Sequence, residues 1–336
     1  MRAVEIAKPV AVEKKIEDKQ RDIKKSLEQL VSPLTRGDPE SALRWTCKST
    51  YHLQEELNLQ GYQVGSKTIG RLLKDLGYSL QSPRKTDEGG HHEDRDAQFN
   101  FINSKVEAFQ ECGKPTISVD TKKKENIGNY ANKGKEYQPK GRPDQVKVYD
   151  FIDKKKGKVA PYGVYDIEQN AGFVNVGISS DTAEFAVNSI RKWWVKIGVA
   201  RYEQSPAILI TADCGGSNGN RVRLWKMKLQ ELANELQKEI QVCHFPPGTS
   251  KWNKIEHRMF CHISGNWRGK SLSSRQVVVN LIGSTKTTEG LKMQAELDKN
   301  TYKKGQKISD KDFAKLNITK LDFHGEWNYI IKPNSL

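Results

Sequence analysis

The 336-residue chain lacks the features that place a protein in or across a membrane. It has no apolar run approaching the ~18 residues a transmembrane helix needs, which excludes a membrane span of that kind. Its opening, MRAVEIAKPVAVEKK, has no apolar stretch of the sort that drives secretion. The five cysteines, Cys47, Cys112, Cys214, Cys243 and Cys261, are odd in number and widely scattered. That pattern reads as reduced thiols in a cytoplasmic protein and not as a disulfide framework. Hydrophobic residues make up only 36%, but they cluster enough to build a core, so the chain is not wholly disordered. Negative charge is in the minority: 56 Lys and Arg against 41 Asp and Glu leave +15. Such an excess implies a polyanionic partner, and nucleic acid fits best because phosphates reward many dispersed cations. A membrane surface fits worse, since no basic amphipathic helix with aromatic anchors is present.

The length suits two or three domains at roughly 100–200 residues each. Val12, Ile16, Ile23, Leu27, Leu30 and Val31 recur at helical spacing, so residues 1–31 are expected to form a charged amphipathic helix. The turn-rich stretch Ser32–Pro39 breaks it. Residues 32–80 read as a helix-turn-helix domain, with one helix over Ser49–Leu57, a turn at Gly61, and a second helix capped by Ser66 and stopped at Gly77. Lys67, Arg71 and Lys74 fall on the solvent side of the second helix, suited to phosphates beside a major groove. Residues 81–96 form a polar linker, in which His91-His92-Glu93-Asp94 reads as a solvated loop and not a metal tract.

From 97 to 336 strands and helices alternate. A helix over Ala97–Phe109 precedes strands at Thr116–Val119, Val146–Ile152, Val159–Tyr165 and Phe173–Ile178, with a hairpin turn at Lys154–Gly157. Asp181 caps a helix to about Ile197; an apolar strand Ala207–Ala212, a helix Arg221–Lys238, a strand Ile240–Cys243 and a helix Trp252–Ile263 come next. A meander followed by βαβ units is an α/β design, a mixed sheet flanked by helices. Asp120 and Asp213 each close an apolar strand, and Glu256 sits on the helix after another; open α/β sheets gather function at the carboxyl ends of their strands. Three converging carboxylates are suited to two Mg²⁺ or Mn²⁺ ions, hard cations that prefer oxygen and can clamp the attacking and leaving oxygens of a phosphodiester. Lys122, Lys123, Lys124 and Lys251 are placed to meet phosphate, and Asn253, one turn before Glu256, to hydrogen-bond near the metals or the DNA. Gly215–Gly219 resembles an anion-binding loop without the lysine that ATP binding needs. Cys243-His244, His257 and Cys261-His262 are too irregularly spaced for a zinc site.

The text around the carboxylates is more specific: Ile117-Ser118-Val119-Asp120-Thr121-Lys122, Ile210-Thr211-Ala212-Asp213-Cys214-Gly215, and Pro246-Pro247 followed by Asn253-Lys254-Ile255-Glu256. With Arg36–Ser41, Trp45–Thr50, Asp181–Val187 and Phe323–Tyr329, it resembles the ISAzo13 family of bacterial insertion-sequence transposases, from about residue 32 to the C-terminus. The resemblance implies an RNase H-like catalytic domain over 97–336 and cut-and-join chemistry on double-stranded DNA, with Asp120, Asp213 and Glu256 in the DDE positions, as catalytic residues and ligands of Mg²⁺ or Mn²⁺. It implies no covalent protein–DNA intermediate, a homo-oligomer on paired element ends, and action beside the bacterial nucleoid. Family members carry more sequence ahead of this chain's start, so an N-terminally shortened, catalytically idle copy acting as a DNA-binding protein or repressor is the alternative. A nuclease of the same fold, such as a resolvase, would differ by lacking strand transfer.

Overall fold

The computed structural model describes residues 16, 20–31, 49–78 and 92–334. Most of the expected N-terminal helix ahead of Gln20, the Ser32–Pro39 break and most of the 81–96 linker lie outside the described residues. Among the described residues, no helix is long and apolar enough to cross a membrane. The chain divides into two compact units, residues 1–86 and 87–336.

In the first unit, α1 (Ile23–Val31), α2 (Thr50–Leu59) and α3 (Ser66–Asp75) surround a small core of Ile23, Leu27, Leu53, Leu57, Val64, Ile69 and Leu72. Ser49 caps α2 by accepting from His52 N. Ser66 is the first helical residue of α3 and not its expected cap. Gly65 holds the cap position without a side-chain bond, and Ser66 N instead donates to Gln54 Oε1 at 3.0 Å. Gly61 and Gly77 lie just beyond α2 and α3 with φ of 91° and 80°, the left-handed conformation that lets a chain leave a helix sharply.

The second unit is a nine-stranded mixed sheet between two layers of helices. Its strands are β1 (Thr116–Thr121), β2 (Glu125–Asn126), β3 (Lys158–Asp166), β4 (Ala171–Gly177), β5 (Ala207–Ala212), β6 (Glu239–His244), β7 (Lys292–Asp298), β8 (Ile318–Lys320) and β9 (Asn328–Ile331). The order is β7-β4-β3-β1-β5-β6-β9-β8, with β2 paired to the start of β3. Antiparallel β4-β3-β1 continue into parallel β1-β5-β6, which is the RNase H-like arrangement. Strand alternation separates the two faces. Val119, Tyr162, Val164, Ile208 and Ile210 meet α5 (Ala183–Trp193) and α6 (Arg223–Leu236). On the other face, Leu209 and Cys243 meet α4 (Arg95–Glu111), while Tyr165, Val174 and Val176 meet the 255–267 segment and α8 (Arg275–Gly283).

Two expected elements differ. Val146–Ile152 forms no strand; Val148 is 88% and Phe151 80% exposed. β3, the next strand in the chain, already has β1 on one side and β4 on the other, so it has no edge open to receive the segment. The segment is held instead as an irregular arm, with Tyr130 Oη donating to Phe151 O at 2.6 Å. The single helix expected over Trp252–Ile263 is broken. A 3₁₀ turn (Ser250–Trp252) leads to Asn253 in extended backbone, then to a π-helical turn (Glu256–Phe260) that runs into α7 (Cys261–Asn266).

One glycine decides how closely that segment seats. A Cβ on Gly163 would lie 2.5 Å from Met259 Cε, 2.6 Å from Phe260 Cε1 and 2.8 Å from Ile255 Cδ1. Gly163 pairs with Asp120 across β1 and β3, so it lets the Glu256 turn settle onto the sheet beside Asp120. Overfilling a packed core costs ~1–3 kcal/mol. Gly163→Val should therefore lower the thermal unfolding midpoint by several degrees, at about 2–4 °C per kcal/mol for a domain this size. An unchanged midpoint would show that the turn is not seated there.

Candidate functional site

Asp120 lies at the end of β1 and Asp213 directly follows β5. The parallel register pairs Val119 with Ala212, so the next residues on the two strands, Asp120 and Asp213, emerge side by side, about one strand spacing (~4.8 Å) apart. Glu256 opens the π-helical turn on the neighbouring layer. Its charge acts on both aspartates. The Asp120 carboxyl is pushed up to about 8, first by burial, then by Asp213, Glu256 and Asp181. Asp213 rises to about 6 through burial and Glu256, against the pull of the Asn253 amide. Burial raises Glu256 as well. Without a cation, therefore, the cluster holds a proton on Asp120 at neutral pH. All-oxygen donors whose repulsion is unrelieved are the set that a hard divalent cation fits.

Two largely buried chains of hydrogen bonds hold the pair. Ser118, two residues before Asp120, donates through Oγ to Asn253 Oδ1 and accepts from Ile255 N at 3.1 Å. The Asn253 amide donates to Asp213 Oδ1 at 3.1 Å and to Val119 O at 3.2 Å. One fully buried asparagine thus joins β1, Asp213 and the start of the Glu256 turn. It sits ahead of the helix, not within it as expected. Behind Asp213, His244 donates through Nδ1 to Asp213 O at 2.9 Å. His244 Nε2 then accepts from Tyr329 Oη at 3.0 Å, which itself accepts from Trp225 Nε1 at 3.0 Å. Burial lowers His244 to about 4, so the ring is neutral and can serve as donor and acceptor at once. Ser118, His244, Tyr329 and Trp225 were not foreseen as site residues. Ser118 and Tyr329 lie within the motif text around Asp120 and over Phe323–Tyr329, and His244 figures only as a candidate zinc ligand; nothing local marked Trp225.

The aspartates open into a cleft of about 1370 Å³. Lys123, Lys124, Arg221, Arg223, Lys226 and Lys320 line it with the Gly215–Gly216 loop, and Glu256 is not among the lining residues. The expected phosphate lysines divide. Lys123 and Lys124 are exposed, and Lys124 pairs with Asp181 at 3.3 Å. Lys122 is buried, its Nζ 4.3 Å from the Trp267 ring centre and 3.6 Å from Glu125, within the field of Glu256. Lys251 is exposed on the 3₁₀ turn beside Trp252, at 5.4 Å. Lys67, Arg71 and Lys74 share the exposed side of α3 in the other unit, with Arg71 also 3.1 Å from Asp75.

Asp181 is not the expected cap, because Thr182 Oγ1 accepts from Phe185 N and caps α5. Asp181 instead accepts from Thr121 Oγ1 at 3.2 Å and adds a fourth negative charge near Asp120. Burial, reinforced by Asp213, pushes the Cys214 thiol up to about 12, which leaves it inert beside the aspartates. Cys243, His257 and Cys261 do not gather with His244 into a ligand set among the described residues.

Asp120 titrates far above the value of 3.8 of a free aspartate. Between those two values the folded chain binds a proton that the unfolded chain does not, so stability falls as pH rises through the window. Asp120→Asn removes that charge and should raise the metal-free unfolding midpoint near pH 8 by several degrees; a lower midpoint would refute the strained cluster. Asn253→Ala should weaken divalent-ion binding about 10–100-fold, the usual effect of losing a ligand's hydrogen-bond support. Calorimetric Mn²⁺ titration measures it, and an unchanged affinity would remove Asn253 from the site.

No curated protein matches the chain. Similar solved structures include a Mos1 transposase paired-end complex with left transposon end, 13% identical over 82% of this chain and 72% of that one, with a TM-score of 0.41. A pre-cleavage Mos1 transpososome is 12% identical over the same shares, with a TM-score of 0.42. The model of the Rhodopirellula transposase DDE domain matches residues 26–333, nearly the whole chain. The chain belongs to that family of DDE transposases.

Proposed function

We propose that this DNA transposase cleaves the ends of an insertion sequence and joins them to target DNA, with Asp120, Asp213 and Glu256 holding Mg²⁺ or Mn²⁺. The observation that carries this reading is the β1/β5 register, which sets two half-buried aspartates side by side under the field of Glu256. When bound, divalent ions would activate the attacking oxygen and stabilise the leaving one. The protein's own part is positional. Ser118 and Asn253 hold Asp213 and the Glu256 turn in register with Asp120. Lys123, Lys124 and Arg221 line the cleft where a phosphate backbone would run. Hydrolysis would release a 3′-hydroxyl at the element end, and that hydroxyl would attack target DNA in the second step. Neither step calls for a serine or tyrosine nucleophile from the protein.

Lys67, Arg71 and Lys74 on α3 are the proposed contacts of the smaller unit with terminal-repeat DNA. Two ends must be held together, so a homo-oligomer is the working form. The exposed apolar side chains of Val148, Tyr149 and Phe151 are a surface suited to a second copy. The site of action would be the bacterial nucleoid.

The test is incubation of labelled DNA carrying the element's own ends with the protein and Mg²⁺ or Mn²⁺. Asp120→Ala, Asp213→Ala and Glu256→Ala should each lower cleavage by at least a thousandfold while DNA binding changes little. Binding should weaken steeply with added salt, as several phosphate contacts require. Binding without cleavage by the unmutated protein would favour the repressor reading. A variant that still cuts would remove its residue from the cluster.

A further inference from the structure

A second set of ligands lies on the wall of the same cleft. His92 and Asp94 stand where the chain enters the larger unit, and His324 sits in the loop between β8 and β9. Their ligand atoms all lie within 4.8 Å of one another, and among the described residues no other three His, Cys, Asp or Glu gather so closely. The sequence suggested a solvated loop here, but the residues are packed. The His324 ring stacks on Trp327 at 4.3 Å, and the His92 ring meets Trp327 edge-on at 4.8 Å.

Two features show that the group is arranged against local preference. Asp94 occupies the N-cap position of α4, where an aspartate ordinarily accepts from the helix's free N–H groups, yet its side chain makes no capping bond. Its carboxylate meets His324 Nε2 at 3.0 Å instead. His324 has a φ of 46°, a left-handed conformation that a non-glycine residue takes only when its surroundings impose it. Its other nitrogen, Nδ1, is supported from the same loop, with Glu326 Oε1 2.8 Å away. A carboxylate behind a histidine is the support that fixes ring orientation and makes the nitrogen a better metal ligand.

We propose that His92, Asp94 and His324 form a binding site for a transition-metal ion of the Zn²⁺ class, distinct from the Asp120–Asp213–Glu256 cluster, with Glu326 as its outer support. Two imidazoles and one carboxylate suit Zn²⁺ or Co²⁺, whereas Mg²⁺ prefers oxygen donors throughout. Three protein ligands leave a fourth position open. His92, Glu326 and Trp327 line the cleft, so that position is available to water or to a phosphate oxygen lying there. The ion would also tie the start of α4 to the β8–β9 loop, joining positions 230 residues apart.

The experiment counts bound metal in the full chain and does not depend on transposition. The protein is loaded with Zn²⁺, dialysed against excess Mg²⁺ to fill the carboxylate cluster, and measured by mass spectrometry of the metal. One equivalent of Zn²⁺ should remain in the unmutated protein and in Glu256→Gln. It should fall at least tenfold in His324→Asn, chosen because asparagine tolerates the left-handed backbone, and in His92→Gln. Co²⁺ should give the visible spectrum of a histidine-bound, four-coordinate ion in the unmutated protein. Circular dichroism without metal checks that the variants fold. Failure of the unmutated protein to retain Zn²⁺ would overturn the proposal, leaving His324 as an ion-pair bridge between Asp94 and Glu326. So would loss in Glu256→Gln with retention in both histidine variants.

Discussion

Like charge forced together in a poorly solvated place is the constraint around which the larger unit is organised. Two adjacent parallel strands carry aspartates at their ends, and the charge of a third carboxylate acts on both from the helical layer. Left to themselves, such groups would part or take up protons. The surrounding polar groups are arranged to prevent the first outcome. Ser118 and Asn253 bond the strand, the second aspartate and the helical turn into one piece. The neutral His244 ring, fixed from behind by Tyr329 and Trp225, holds the backbone of Asp213. Most of these bonds are buried, where breaking one leaves an unpaired group at a cost of ~1–3 kcal/mol.

Packing obeys the same need. Gly163 leaves the space into which Met259, Phe260 and Ile255 settle, so the layer bearing Glu256 approaches the sheet at the position opposite Asp120. Lys122, drawn inward against Trp267, brings a cation close to Glu256. On the far face, α5 and α6 cover the sheet with an apolar layer that includes Trp193 and Trp225. The sheet is thereby fixed from behind while its polar edge stays open to the cleft.

Much of this was legible from local pattern. Apolar runs ending in Asp120 and Asp213 announce strands and their ends, because a buried parallel strand reads as continuous hydrophobicity. The order of elements announced a mixed sheet flanked by helices; that it is RNase H-like came from the family resemblance. What failed to show was whatever depends on partners distant in sequence. Val146–Ile152 has the composition of a strand, but only the finished sheet reveals that the strand following it, β3, is already flanked on both sides. Lys122 looks like its neighbours Lys123 and Lys124 until Trp267 and Glu125 are placed around it. Asp181 looks like a helix cap, yet the next residue takes that role. His92 and His324 are far apart in the chain, and neither has a metal-binding spacing of its own. The strands β7 and β8 carry few apolar residues in a row and are the outermost strands of the sheet.

The π-helical turn at Glu256–Phe260 has a consequence for how such a site can arise. A π turn is in effect an α-helix with one residue added. Each residue advances an α-helix by about 100°, so an added residue rotates the turn before it relative to the turn after it. Met259, Phe260 and Ile263 can keep their places in the core while the acidic residue is swung to a different bearing. The direction of the carboxylate is thus separable from the packing of the helix that carries it. A lineage could re-aim its acid by a single-codon insertion or deletion without rebuilding its hydrophobic interior.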